Sequence, residues 1–258
     1  MAGGGPRGSL SDAADSAATS LAAASPLAVR LQGARFAWNS AEADLININR
    51  LEVPRGERLF VSGPSGVGKS TLLSLLGGVV TPREGRIEVL GTELSQLSAR
   101  GRDRFRANHV GIVFQMFNLV PYLSMVDNVT LPCLFSPRRR RRAVARSGRI
   151  DDEARRLLAD LELNRPALLA RAVTDLSIGQ QQRVAVARAL IGSPEIVIAD
   201  EPTSALDEGT REGFLALLFA ECEAEATTLI FVSHDARLGA RFDRRLALAD
   251  VNRAAGGH

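Results

Sequence analysis

The sequence predicts an α/β fold built around a mainly parallel sheet, and three observations lead there. Short apolar or alternating strands recur between helical stretches. A glycine-rich turn, Gly63-Pro-Ser-Gly-Val-Gly-Lys-Ser70, joins a strand to a helix. A second apolar strand, Ile196-Val-Ile-Ala, ends in the acid pair Asp200-Glu201.

The elements follow in order. Residues 29–38 and 46–53 alternate apolar and polar positions and read as strands. Residues 57–62 form a third strand, which runs into the glycine-rich turn. A helix over 69–76 leaves that turn, and strands follow over 86–90 and 110–114. From about 115 to 174 the period becomes helical, most clearly over 151–161, so this stretch reads as an insertion between two sheet strands. A helix over 180–191, the strand 196–199, a helix over 209–225 and a strand over 227–232 complete the pattern. No internal repeat is visible.

Composition bounds the class. With 258 residues the chain sits near the upper end for one domain, and an apolar fraction of 45% suffices for a sizeable core. No run approaches the roughly 20 apolar residues that cross a bilayer. Residues 1–26 are rich in Ala, Ser and Gly and lack a basic start followed by an apolar block. They read as a disordered tail, bounded at about residue 28, rather than as a signal peptide. Cys133 and Cys222 fit no metal or redox spacing and read as small buried hydrophobes in a reducing compartment. Among 32 basic residues Lys69 is the only lysine. In a chain that otherwise uses arginine, this marks a place where a compact ammonium on a flexible stem is required.

The glycine-rich turn matches the P-loop pattern G-x-x-x-x-G-K-[ST] in its proper strand-to-helix context. Its glycines let successive backbone N–H groups turn inward around phosphate oxygens, and the helix N-terminus adds partial positive charge. Lys69 reaches the terminal phosphates and Ser70 holds Mg²⁺ in this pattern. Asp200 and Glu201 stand at the carboxyl edge of the sheet, where open α/β sheets bind ligands. Asp200 suits Mg²⁺ coordination through a bound water, and Glu201 suits activation of the attacking water. Taken alone, an apolar strand ending in Asp-Glu is a common helix-cap arrangement; the paired P-loop gives it chemical meaning.

Leu176-Ser-Ile-Gly-Gln-Gln-Gln-Arg183 opens a helix and resembles the ABC signature L-S-G-G-Q. The chain from about residue 29 to 253 then resembles ABC nucleotide-binding domains in the order of its motifs. Gln115, after Gly111-Ile-Val-Phe114, resembles the Q-loop glutamine. Ser204-Ala-Leu-Asp207 resembles the D-loop, and His234 resembles the switch histidine. Gln115-Met-Phe-Asn-Leu-Val-Pro121, Val126-Asp-Asn-Val129 with Leu131-Pro132, and the triple Gln180 to Gln182 are similar to the branch holding LolD, MacB, DevA and FtsE.

The resemblance implies a P-loop NTPase with a RecA-like parallel core, an antiparallel β subdomain and a helical subdomain at about 116–175, all within residues 29–255. It implies an ATPase acting on Mg·ATP. Glu201, His234, Gln115 and Lys69 are the expected catalytic groups. Nucleotide contacts are expected from Trp38, from Gly63, Pro64, Ser65, Gly66, Val67, Gly68, Lys69, Ser70 and Thr71, and, across a head-to-tail homodimer, from Ser177, Gly179, Gln180 and Asp207. Ser70, Gln115 and Asp200 are the expected Mg²⁺ contacts. The implied partner is a separate integral membrane permease, at the cytoplasmic face of a bacterial inner membrane, with no nucleic acid and no span of its own. The implied function is export, or extraction of lipoprotein or peptide cargo, and the alternative is an FtsE-like role in cell division. Ile178 departs from the pattern by replacing the first glycine of the signature pair.

Other readings compete at several positions. An ordinary P-loop kinase leaves the signature and His234 unexplained, and a DNA-repair ATPase would carry a coiled coil or zinc module in the insertion. A lone histidine is more often a core residue than a functional one, but His234 follows a buried strand and precedes Asp235. Trp38 serves equally as strand packing or as a stacking face for adenine. Arg138 to Arg142, with Arg146 and Arg149, read first as a solvated, flexible loop. Contact with anionic lipid headgroups is the alternative, and the absence of interleaved aromatics argues against nucleic acid.

Overall fold

The computed structural model describes residues 27–39, 41–165, 171–204, 206 and 208–256. The expected tail over residues 1–26 lies outside the described residues. Two sheets organise the chain. The antiparallel sheet runs in the order β2 (Ile46–Pro54), β1 (Leu27–Phe36), β4 (Glu84–Val89), β5 (Thr92–Glu93). The strand expected from residue 29 begins two residues earlier, because Leu27 still pairs with Pro54.

The second sheet has five strands, in the order β6 (Val110–Val113), β7 (Ile196–Asp200), β8 (Thr228–Val232), β3 (Arg58–Ser62), β9 (Arg244–Ala247). All of its neighbours pair in parallel. The strand alternation of two residues per repeat decides what each face covers. Ile196 and Ile198 of β7, Ile230 and Val232 of β8, and Leu59 and Val61 of β3 share one core with the antiparallel sheet and α1 (Lys69–Leu76). Val197 and Ala199, Leu229 and Phe231, and Phe60 point the other way, into a second core with the helices. Strands buried on both faces explain the near-continuous apolar runs in the sequence.

The helical stretch comprises α3 (Met125–Phe135), α4 (Pro137–Ser147) and α5 (Ile150–Asp160), followed by α6 (Ile178–Leu190). Ser124 and Ser136 cap the first two through their side chains. An additional helix, α2 (Ala99–His109), lies before β6, in a stretch where the sequence pattern predicts no element. It buries no residue fully, so no apolar stripe announces it. Helix α7 (Glu208–Ala224) joins β7 to β8, and a four-residue helix, α8 (Leu248–Val251), follows β9.

The arginine run is not a solvated loop. It forms α4, and most of its charge is spent inside the chain. Arg139 is buried and donates to the backbone carbonyls of Ile191 (2.7 Å), Ala189 (2.6 Å) and Arg188 (3.3 Å), the orphan acceptors at the end of α6. Burial pushes its pKa down to about 10, which still leaves it charged at neutral pH. Arg138 and Arg142 pair with Glu195, Arg142 also donates to the Ser193 carbonyl, and Arg146 pairs with Glu225. Both cysteines are buried and unpaired, as small hydrophobes would be. No helix among the described residues is long and apolar enough to cross a membrane.

Candidate nucleotide site

The glycine-rich turn leaves the carboxyl end of β3 and enters α1, so its amides gather at one edge of the parallel sheet. Two glycines there are obligatory. Gly66 and Gly68 have φ of +82° and +100°, in the left-handed region. A Cβ on Gly68 would also stand 2.8 Å from Ile46 Cδ1 and 3.2 Å from the Leu45 carbonyl, so the turn packs directly on the antiparallel sheet. The Lys69 ammonium folds back to donate to the carbonyls of Gly63 (2.7 Å) and Pro64 (3.0 Å). Lys69 Nζ is thereby held over the loop that supplies the amides.

A cavity of about 470 Å³ opens at this edge. Its lining brings together Ser65, Gly66, Gly68, Lys69, Ser70 and Thr71 with Gln115, Asp200, Glu201 and His234. Ser70 Oγ donates to Asp200 Oδ2 at 2.9 Å. His234 Nδ1 lies 2.9 Å from Glu201 Oε2. Glu201 takes a φ of +47°, a conformation a glutamate rarely adopts, and its N–H donates to the Val232 carbonyl at 3.0 Å. The ladder partner thus keeps the chain turning sharply at the strand end and aims the carboxylate into the cavity.

Pro64 and Val67 line an adjoining cavity that shares Ser65 and Gly66 with the first. Gly63 contributes its carbonyl to Lys69. Trp38 is set apart from both cavities. It is 62% exposed and meets Phe36 edge-on, with ring centroids 5.2 Å apart. Strand-end packing therefore accounts for one edge of its indole, and the rest is open to solvent. Asp207 lies outside the described residues.

The signature residues stand elsewhere. Ser177, Gly179 and Gln180 line a separate cavity of about 400 Å³ together with Arg165 and Arg183. Ser177 caps α6: its Oγ accepts from the Gln180 N–H (3.3 Å), while the Ser177 N–H donates to Gln180 Oε1 (3.0 Å). Both side chains are engaged in this reciprocal box, and the first-turn N–H groups and helix dipole add to the positive charge that Arg165 and Arg183 bring to the cavity. Ile178 is 55% exposed. The two cavities are mechanically joined, because Arg188 of α6 donates to the carbonyls of Phe117 (2.5 Å) and Asn118 (2.6 Å), just after Gln115. Burial lowers the pKa of Arg188.

Two contributors escaped the sequence reading. Leu45 lines both P-loop cavities. Asn252, fully buried, donates to the carbonyls of Leu45 (2.9 Å) and Val67 (3.1 Å) and accepts from the Asn47 N–H (2.7 Å). It pins the P-loop to β2 from the far end of the chain. No motif marks it, and a polar residue close to the C-terminus gives no periodic signal.

The chain is similar to known proteins over most of its length. Residues 46–204 match the ABC transporter family. The lipoprotein-releasing system ATP-binding protein LolD of Syntrophotalea carbinolica is 39% identical over 215 residues, covering 83% of this chain and 91% of that protein. The uncharacterized ABC transporter ATP-binding protein YbbA of Escherichia coli is 41% identical over 209 residues, covering 81% and 88%. The macrolide export ATP-binding/permease protein MacB of Rhodopseudomonas palustris is 37% identical over 224 residues, covering 86% of this chain and 33% of that longer protein. Among solved structures, the dimeric bacterial ABC transporter cassette MJ0796 superposes with a TM-score of 0.74 at 33% identity, covering 85% of this chain and 93% of that one. A post-hydrolysis dimer of the same cassette, bound to ADP and Pi, gives a TM-score of 0.72 at 31% identity, covering 88% and 95%.

Proposed function

The chain belongs to the ABC transporter family, and from that premise we propose that it is an ATP-binding and ATP-hydrolysing subunit working as a head-to-tail dimer on a separate membrane permease. One observation carries the reading. The P-loop, the Ser70–Asp200 pair and the Glu201–His234 pair face a single cavity at the carboxyl edge of the parallel sheet.

Each residue has work that its surroundings support. The P-loop amides and Lys69 bind the triphosphate. Ser70 and Asp200 present hard oxygens side by side, and Gln115 adds an amide at the same cavity. This donor set fits Mg²⁺, which takes few protein ligands and keeps water and phosphate oxygens for the rest. When bound, Mg²⁺ neutralises charge on the terminal phosphates. The Glu201 carboxylate orients and polarises the attacking water. His234 donates from Nδ1 to the Glu201 carboxylate, which holds its ring at the cavity that takes the terminal phosphate.

The signature completes the site from a second copy. Among the described residues nothing demands a glycine at 179: a Cβ there would find its nearest neighbours at 3.7 and 3.8 Å, in ordinary contact. Close approach by the other protomer's nucleotide supplies the missing reason. The dimeric form of the MJ0796 cassette supports this arrangement. ATP then closes the dimer, and hydrolysis removes the contacts that hold it. The link from Arg188 to the loop after Gln115 carries the nucleotide state into the helical region, where the permease docks.

The relatives LolD and MacB, by name a lipoprotein-releasing and a macrolide-export protein, favour extraction or export of cargo at the cytoplasmic face of a bacterial inner membrane over a division role. The test is Glu201→Gln with ATP in size-exclusion chromatography. The variant keeps the phosphate contacts, weakens water activation and accumulates as an ATP-bound dimer. If it stays monomeric at saturating ATP, the two-copy site is wrong.

A further inference from the structure

The Glu201–His234 contact joins two loops that leave adjacent strands, β7 and β8; the ladder ties the Glu201 N–H to the Val232 carbonyl, and past that bond the sheet no longer sets how far apart the loops stand. Beyond Glu201 the chain is stiffened step by step. The Ser204 N–H donates to the Glu201 carbonyl (3.2 Å), and the Leu206 N–H donates to the Thr203 carbonyl (3.2 Å). Thr203 and Leu206 are both buried. The next link is Arg211, in the first turns of α7. Its guanidinium donates to the Leu206 carbonyl at 3.0 Å and, through its other arm, to Asp235 Oδ2 at 2.7 Å. Asp235 is the residue after His234. Arg211 therefore ties the loop behind Glu201 to the loop behind His234.

The clamp is rigid on both sides. The Arg211 and Asp235 side chains are 18% and 17% exposed. Asp235 also accepts from the Arg237 side chain and backbone, and its N–H donates to Ser233 Oγ at 3.1 Å. The Arg237 hydrogen bonds, opposed by partial burial and helped by both guanidinium charges, bring the Asp235 pKa down to about 2, so it is ionised throughout the working range. Arg211 and Arg237 hold the same carboxylate, but only Arg211 reaches the Glu201 side. Arg237 is 76% exposed.

We propose that Arg211 is a positioning residue for ATP turnover, holding the Glu201 loop and the His234 loop at the separation at which their side chains meet. The proposal rests on the roles given above to Glu201 and His234. It touches neither the P-loop nor the signature, so its loss reaches the chemical step without weakening nucleotide capture.

The experiment is steady-state ATPase of the full chain, with thermal unfolding measured alongside, for Arg211→Ala, Arg211→Lys and Arg237→Ala. Arg211→Ala lowers kcat about ten-fold with KM for ATP within about two-fold, the pattern of an interaction that matters in the transition state and not in binding. Arg211→Lys keeps the ion pair with Asp235, cannot span to Leu206 as well, and recovers only part of the rate. Arg237→Ala, losing the exposed arm on the same carboxylate, stays within about two-fold of the parent. An unchanged kcat in Arg211→Ala overturns the proposal, as does an equal loss in Arg237→Ala. Should Arg211→Ala fail to fold, Arg211→Lys decides: wild-type kcat there overturns the proposal and an intermediate kcat supports it. Glu201→Gln run in parallel separates this inference from its premise. Turnover surviving in Glu201→Gln would remove the premise, whereas turnover lost there but intact in the Arg211 variants would remove the clamp alone.

Discussion

The P-loop half-site and the signature half-site differ in what satisfies their polar groups. In the first, each key side chain meets another part of the same chain: Lys69 meets its own loop, Ser70 meets Asp200, and Glu201 meets His234. In the second, among the described residues the Ser177 and Gln180 side chains bond to each other, Ile178 is exposed, and a Cβ on Gly179 would make only ordinary contacts. The first is an assembled site whose geometry the chain sets alone. The second is a surface that, on the proposed function, is completed by a second copy. The difference teaches where to look for a residue's reason: contacts explain the first half, and missing contacts explain the second.

The largest effect separates the halves at their strongest point. Lys69→Ala removes the only ammonium in the chain from beside the phosphate-binding amides. Turnover should fall by at least about 100-fold, roughly 2.7 kcal/mol of lost transition-state stabilisation. Unchanged turnover in a coupled phosphate-release assay would contradict the placement of the triphosphate. Because Lys69 is bonded only to loop carbonyls, the melting temperature should barely move.

Gly179→Ala sharpens the contrast from the other side. An added methyl meets Leu206 and Thr210 at ordinary contact distance, and alanine favours a helix over glycine by about 1 kcal/mol. The isolated chain should be as stable as before or slightly more so. ATP turnover should nevertheless drop about ten-fold or more, because the methyl stands where the second copy's nucleotide must approach. Calorimetry and ATPase on one preparation check both halves. A parallel loss of stability and activity would show that the glycine serves this chain's own fold.

How much of this was legible in the sequence depended on the kind of constraint. The P-loop could be read because backbone conformation forces its residue types: Gly66 and Gly68 adopt φ values that side chains resist. The parallel strands could be read because burial on both faces leaves unbroken apolar runs. Helix α2 could not, since it hides no side chain and so shows no apolar stripe. Arg139 was illegible for the opposite reason. Its neighbours in sequence mark a solvated face, while the carbonyls that take it inside belong to a helix end about 50 residues away. Asn252 and Arg211 likewise act on backbone carbonyls, and an acceptor that every residue possesses leaves no trace in a pattern of side chains.

Glu195 offers a test of the scaffold behind the assembled half-site. It precedes β7, the strand that ends in Asp200, and it meets His109 at 3.0 Å together with Arg138 and Arg142 of α4. Partial burial opposes its ionisation, but the hydrogen bonds from His109 and Arg138 and the charge of Arg142 outweigh that and set its pKa at about 2. A carboxylate held below its ordinary value of 4.5 contributes fully above that pH. The contribution is lost as the pH falls from there toward 2. Denaturant midpoints measured across this window should decline less steeply in Glu195→Gln than in the parent. Equal slopes would mean that the cluster does not couple to folding.

The smallest effect concerns the departure at position 178. Ile178 is exposed at the first position of α6, so the side chain contributes little to the core, and glycine there would cost about 0.5–1 kcal/mol in helix stability. Ile178 precedes Gly179, so on the proposed function its side chain falls beside the surface that meets the second copy. If its bulk slows closure, Ile178→Gly should raise kcat by about two- to three-fold while lowering the melting temperature slightly. If the side chain instead packs on the second copy, the substitution should lower kcat and weaken ATP-dependent dimerisation of Glu201→Gln. The sign of the change in kcat therefore reports whether Ile178 hinders or helps the contact, and a change in dimer affinity in the same direction locates the effect at the interface. Since Ile178 does not line the cavity of the P-loop half-site, KM for ATP should stay within about two-fold in either case.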